Sequence, residues 1–96
     1  MASLPLEGRV AIVTGAGRGL GRAHALALAS AGVAVVVNNR SANAAAKVVD
    51  EITTHGGRAV AHVGDVADWA TAEGLIDQAV AEFGDLHILV NNAGIT

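Results

Sequence analysis

Thr14-Gly15-Ala16-Gly17-Arg18-Gly19-Leu20-Gly21 stands directly after the apolar run Val10-Ala11-Ile12-Val13 and opens into a stretch rich in Ala and Leu that runs to Ala31. A β-branched run, a glycine cluster and then strong helix formers read as strand, tight turn and helix. Glycines in such a turn let the backbone bend sharply and let a pyrophosphate approach without a Cβ in the way. The helix behind them presents free N–H groups and a partial positive charge to the phosphates. The spacing selects among phosphate-binding turns. The strict G-x-G-x-x-G frame fails, because its last position is Leu20 when counted from Gly15 and Arg22 when counted from Gly17. A P-loop fails as well, since no Lys-Ser or Lys-Thr follows the glycines. The pattern that fits is T-G-x-x-x-G-x-G, through Thr14, Gly15, Gly19 and Gly21.

Outward from this turn, the chain alternates short apolar runs with helical stretches. Strands are predicted at Val10–Thr14, Ala34–Asn38, Ala59–Val63 and Ile88–Asn91. Their nearly continuous apolar character is that of parallel strands covered on both faces. The first helix, Leu20 to Ala31, is apolar nearly all round and is expected to be covered on more than one side. The second, Ala42 to His55, turns Ala45, Val48 and Ile52 inward and stops at Gly56-Gly57. The third lies between Asp68 as N-cap and Gly84 as the residue after its end. Its stripe is Ala72, Leu75, Ile76, Ala79, Val80 and Phe83, with Glu73, Asp77, Gln78 and Glu82 facing away. The order β-α-β-α-β-α-β predicts an α/β fold, a Rossmann-type doubly wound parallel sheet of strand order 3-2-1-4. The first two helices belong on one face and the third on the other. Residues 1–96 read as one domain.

Composition narrows the function classes. Apolar residues are 52% of the chain, mostly Ala and Val, with one Trp and one Phe. The net charge of −3 and the lack of any basic run argue against a nucleic-acid partner. Without Cys there are neither disulfides nor thiolate metal sites. Met1 to Gly8 lacks the form of a secretory signal, and the apolar run Val33–Val37 is too short to span a bilayer. A cytoplasmic protein without a membrane partner is expected. His24, His55, His62 and His87 show no metal-ligand spacing and read as surface or strand-end residues.

With the glycine turn, three further segments resemble the short-chain dehydrogenase/reductase family in register. Asp65-Val66 follows the third strand, Asn91-Asn92-Ala93-Gly94 ends the fourth, and Asn38-Asn39-Arg40 ends the second, where a ribose is read. The resemblance runs from Glu7 onward and implies a cofactor site. Gly15, Ala16, Gly17, Arg18, Gly19, Leu20 and Gly21 would wrap the pyrophosphate. Asp65 would bond the adenine amino group with the Val66 backbone beside it, and Asn92, Ala93 and Gly94 would line the nicotinamide-ribose side. Asn91 would tie the fourth strand to the turn at Thr14. His87 departs from the acidic residue that the family commonly has at the start of the fourth strand, which puts a local contact in question.

The resemblance also implies an NAD(P)-dependent oxidoreductase for carbonyl or alcohol substrates, a homo-oligomer when complete. NADP is expected over NAD, because Asn39 is neutral where NAD-preferring members place a carboxylate, and Arg18 and Arg40 flank the same region. The family's hydride chemistry relies on a Tyr general acid/base, a Lys one helical turn on, and a Ser, all downstream of N-N-A-G. This chain has no Tyr, its only Lys is Lys47 on the outer face of the second helix, and Ser3, Ser30 and Ser41 are misplaced for the role. No catalytic residue is expected here. Two readings stay open: the cofactor-binding part of a longer oxidoreductase, or a stand-alone nucleotide-binding module or inactive relic.

Overall fold

A computed structural model describes residues 6–92. Four strands, β1 (Val10–Val13), β2 (Ala34–Asn39), β3 (Ala59–Val63) and β4 (Ile88–Val90), alternate with three helices, α1 (Gly19–Ser30), α2 (Ala42–Thr54) and α3 (Trp69–Phe83). The sheet is wholly parallel in the order β3-β2-β1-β4. Val10 pairs with Ala34 and Ala11 with Ile88, so β1 and β2 lie at the centre.

The period of two along each strand divides the core. Ala11 and Val13 of β1 and Val35 and Val37 of β2 pack with Ala25 of α1 and with Ala45, Val48 and Ile52 of α2. Val10, Ile12, Ala34 and Val36 point the other way, onto Leu75 and Ala79 of α3. Both faces of the central strands are covered, which is why their sequences are apolar without alternation. The sequence expectation of two helices on one face and one on the other is met.

Capping residues fix where the helices begin and end. The Ser41 hydroxyl accepts from the Ala44 N–H at 3.2 Å, and the Asp68 carboxylate accepts from the Ala70 N–H at 2.9 Å. Gly84 closes α3 with a left-handed φ of 84°. α1 differs: Arg18 is its N-cap residue, in extended conformation, and no side chain caps it.

Several sequence expectations are corrected. α1 starts one residue earlier than predicted; the sheet and α2 both lie against it, as expected, with Gly21 and Ala25 buried, while its opening Leu20 is 58% exposed. Its small side chains let it fit close against both the sheet and α2. The stripe of α3 is narrower than its sequence suggests. Ile76 and Val80 are half exposed, because α3 packs on β1 and β2 and those two residues fall outside that contact. Gln78 does not face away but donates to the Ala61 carbonyl at 3.3 Å, engaging the edge strand β3. His62 is mid-strand and half buried, and its Nδ1 is buried without a hydrogen-bond partner.

Candidate dinucleotide site

The carboxyl ends of the strands converge where the chain reverses around β1. In open α/β sheets this switch point is where a ligand crevice forms. Here the β1–α1 turn, the end of β2 and the loop after β3 enclose a cleft of about 980 Å³. Backbone bonds hold its walls together. The Ala16 N–H donates to the Asn38 carbonyl at 2.8 Å, and the Gly64 N–H donates to the Asn39 carbonyl at 3.1 Å. The buried Asn38 amide adds bonds to the His62 and Gly64 carbonyls at 3.3 and 3.2 Å, fastening β2 to β3 at the floor.

Thr14 joins the turn to β4. Its hydroxyl accepts from the Asn92 N–H at 2.9 Å and lies 3.3 Å from Asn91 Oδ1 and 3.4 Å from the Val90 carbonyl. The Asn91 tie expected from the sequence is thus present. The Asn92 side chain reaches the Gly15 carbonyl at 3.5 Å. One strand end therefore positions the glycine turn from β4 and another from β2.

The glycines of the turn are required for different reasons. Gly15 and Gly19 each have a φ of 59°, the left-handed region that side chains disfavour. Nothing lies within 4 Å of where a Gly19 Cβ would stand, so open space faces that position. Gly21 has no left-handed φ, but a Cβ there would overlap the Gly15 carbonyl and come within 2.7 Å of Asn92 Nδ2. Its role is to let α1 close onto the turn.

Of the residues singled out from the sequence, Gly15, Arg18, Asn39, Arg40, Asp65, Val66 and Asn92 line the cleft. Ala16 is fully buried beneath the turn, Leu20 is exposed on α1, and Gly17 packs under Asn39. Ala93 and Gly94 lie outside the described residues. Asn38, Ser41 and Gly64 also line the cleft. Sequence reasoning had Asn38 in the segment expected to read a ribose but missed Ser41 and Gly64, although a glycine directly after a strand was an available signal. Arg40 and Asp65 face each other across the opening at 3.9 Å, with side chains 80% and 55% exposed. In water such a pair is weak, so the guanidinium remains open to an incoming anion.

The question raised by His87 lies at the opposite end of the sheet. Its Nδ1 accepts from the Val10 N–H at 3.0 Å, and its Nε2 stands 3.3 Å from Asp85. Accepting at Nδ1 places the neutral ring's proton on Nε2, toward that carboxylate. His87 thereby supplies the acceptor that an acidic residue would supply.

Among the described residues, no group of three or more His, Asp or Glu side chains could hold a metal ion. No helix among them is long and apolar enough to cross a membrane.

Comparison with known proteins matches residues 9–96 to the sequence profile of short chain dehydrogenases. An uncharacterized oxidoreductase of Methylorubrum extorquens is 53% identical over 91 residues, which are 94% of this chain and 37% of that protein. The crystal structure of a short chain dehydrogenase from Mycobacterium avium superposes with a TM-score of 0.88 at 56% identity, covering 94% of this chain and 35% of that one. A 7α-hydroxysteroid dehydrogenase solved with NADH and 7-oxo glycochenodeoxycholic acid gives a TM-score of 0.89 at 44% identity, over 93% of this chain and 35% of that one. The chain spans about a third of the length of the relatives it matches.

Proposed function

Since the chain belongs to the short-chain dehydrogenase family, we propose that residues 1–96 form one unit that binds the dinucleotide of an oxidoreductase moving a hydride between a nicotinamide cofactor and a small carbonyl or alcohol. The observation that carries this reading is the contrast at the helix N-termini. α2 and α3 are closed by side-chain caps, whereas α1 opens from the glycine turn with no side-chain cap. Uncapped amides behind a turn with open space at Gly19 suit an anion.

The bound cofactor would supply the hydride, and the residues of this chain supply its seat. Gly15, Gly19 and the first turn of α1 hold the pyrophosphate, with Ala16, Gly17, Leu20 and Gly21 shaping the turn around it. Asp65 and the Val66 backbone meet the adenine. Asn92, with Ala93 and Gly94 after it, meets the nicotinamide ribose. The other ribose falls to Asn39, Arg40 and Arg18. Asn39 offers no carboxylate to repel a 2′-phosphate, and two guanidiniums can form charge-assisted bonds to one. This favours NADP over NAD, although the related 7α-hydroxysteroid dehydrogenase was solved with NADH.

With no Tyr in the chain, proton transfer to the substrate has no candidate among these residues. On this reading residues 1–96 bind but do not catalyse, and the whole protein acts in the cytoplasm as a homo-oligomer. The same lack of Tyr supports the second reading, a nucleotide-binding module without chemistry. Oxidation of an alcohol panel by the full-length protein separates the two.

The test of the site is nucleotide binding by the full-length protein carrying Gly19→Val or Arg40→Ala. The valine is expected to abolish binding of both NADPH and NADH. The Arg40 change is expected to weaken NADPH alone, by about tenfold, or ~1.4 kcal/mol. Unchanged affinity for Gly19→Val refutes the phosphate seat. A preference for NADH from the start refutes the choice of NADP.

A further inference from the structure

Gly17 stands apart from the other glycines of the turn. Its φ is not in the left-handed region, so its backbone conformation does not call for glycine. The constraint is space. A Cβ at this position would lie 2.6 Å from both Asn39 Cγ and Asn39 Nδ2 and 2.7 Å from Ala44 Cβ. Carbon atoms in contact prefer about 3.5–4.0 Å. The volume that a side chain would take is therefore occupied by the Asn39 amide and the first turn of α2.

These neighbours differ in their freedom to move. Ala44 is held by the Ser41 cap at the start of α2. The Asn39 backbone is held by the Gly64 N–H, and the preceding carbonyl by the Ala16 N–H. The Asn39 side chain, half buried at the cleft wall, is the part that can give way.

We propose that Gly17 is a positioning residue for dinucleotide discrimination, because it seats the Asn39 amide at the end of β2 and so sets the balance between a ribose with a free 2′-hydroxyl and one carrying a 2′-phosphate. This inference rests on the reading of the cleft as a dinucleotide site. The seated amide bonds the ribose hydroxyls, and Arg18 and Arg40 serve the phosphate. Displacing the amide weakens the hydroxyl form and leaves the guanidinium contacts in place.

The experiment measures NADH and NADPH dissociation constants by nucleotide fluorescence in the full-length protein and in Gly17→Ala, Asn39→Ala and the double variant. Gly17→Ala is expected to weaken NADH about 3- to 10-fold, the weight of one neutral hydrogen bond, and NADPH less than about 2-fold. Asn39→Ala is expected to give the same change in the ratio, with no further change when Gly17→Ala is added. Should Gly17→Ala fail to fold, Gly17→Ala/Ala44→Gly removes the clash with α2 and leaves only Asn39 to be displaced, with the same expected ratio. Equal loss of both nucleotides, an unchanged ratio, or a change that persists without the Asn39 amide overturns the inference. If the unsubstituted protein binds neither nucleotide, the dinucleotide reading itself falls and takes the inference with it. Binding of both with an unchanged ratio in Gly17→Ala refutes the inference alone.

Discussion

The layer of α1 and α2 and the flank of α3 and β4 are both mostly apolar in sequence, yet they finish differently. Under α1 and α2 the sheet is closed, with Val13, Val35, Val37, Val48 and Ile52 all at 2% exposure or less. On the other flank Leu89 is 65% exposed, and Ile76 and Val80 of α3 are about half exposed. Ile88 and Val90 pack into the α1/α2 core, so Leu89 between them points to the α3 face of the sheet. The candidate cleft draws most of its walls from the closed side, through the turn, β2 and the start of α2. What the difference teaches is that the cleft end of the fold is backed by a closed layer while its β4 flank offers surface for further cover.

The largest effect expected is on packing. Ile52→Ala empties a buried position in the closed layer and should cost ~2–5 kcal/mol. Ile76→Ala removes a similar side chain from a half-exposed one and should cost less than ~1 kcal/mol. Urea unfolding of residues 1–96 measures both, and equal costs would break the comparison. Repeating the pair in a chain of the relatives' length sharpens it. There the Ile76 cost should rise if further chain lies against α3, while the Ile52 cost stays as it is.

The next effect concerns the anchor between β1 and the start of β4. His87→Ala leaves the Val10 N–H without its acceptor, a loss of ~1–3 kcal/mol for a partly buried donor. His87→Asp keeps an acceptor at the same place and should recover most of that. Urea unfolding reads the stability, and hydrogen exchange at the Val10 amide reads the bond itself. Val10 exchange that is equally slow in His87→Ala would show the contact to be dispensable.

These cases show which features were legible in the sequence. The strands, their order and the faces of the helices followed from local periodicity, because Val10/Ile12 and Ala11/Val13 each had to meet an apolar layer. The turn was legible as a glycine turn between a strand and a helix. The separate reasons for its glycines were not, since Gly17 answers to Asn39 and Ala44, and Gly21 to Gly15 and Asn92, contacts that the fold alone creates. Arg40 and Asp65 were read by their offset from strand ends and Arg18 by its place in the glycine turn, and all three line the cleft. Ile76, Val80 and Gln78 were misread because the width of a helix's buried stripe depends on what lies against it. His87 was visible as a departure from the family pattern, but its acceptor role depends on which backbone N–H faces the ring.

The smallest effect belongs to the exposed rim of the closed layer. Arg22, in the first turn of α1, meets Glu51 of α2 through two bonds, Nε to Oε1 at 2.9 Å and a second from Nη2 to Oε2. The hydrogen bond from Arg22 holds the Glu51 carboxyl below the usual carboxylate range; burial opposes it, and the charges of Arg22 and His55 add to the lowering. A carboxyl with a lowered folded-state value stabilises the fold above its unfolded value and loses that contribution as pH falls through the folded one. The contribution is therefore full at pH 7 and fades on acidification below the ordinary glutamate value of about 4.3. Both side chains are substantially exposed, so solvent and salt screen the pair and the effect on stability is small. The measurement compares the melting temperature of the protein with that of Glu51→Gln at pH 7 and at pH 3, in low and high salt. The gap between them should be small at pH 7, narrow at pH 3, and shrink with added salt. A gap that stays constant with pH would show that Glu51 acts through packing against α1, and that the closed layer owes its closure to apolar contact alone.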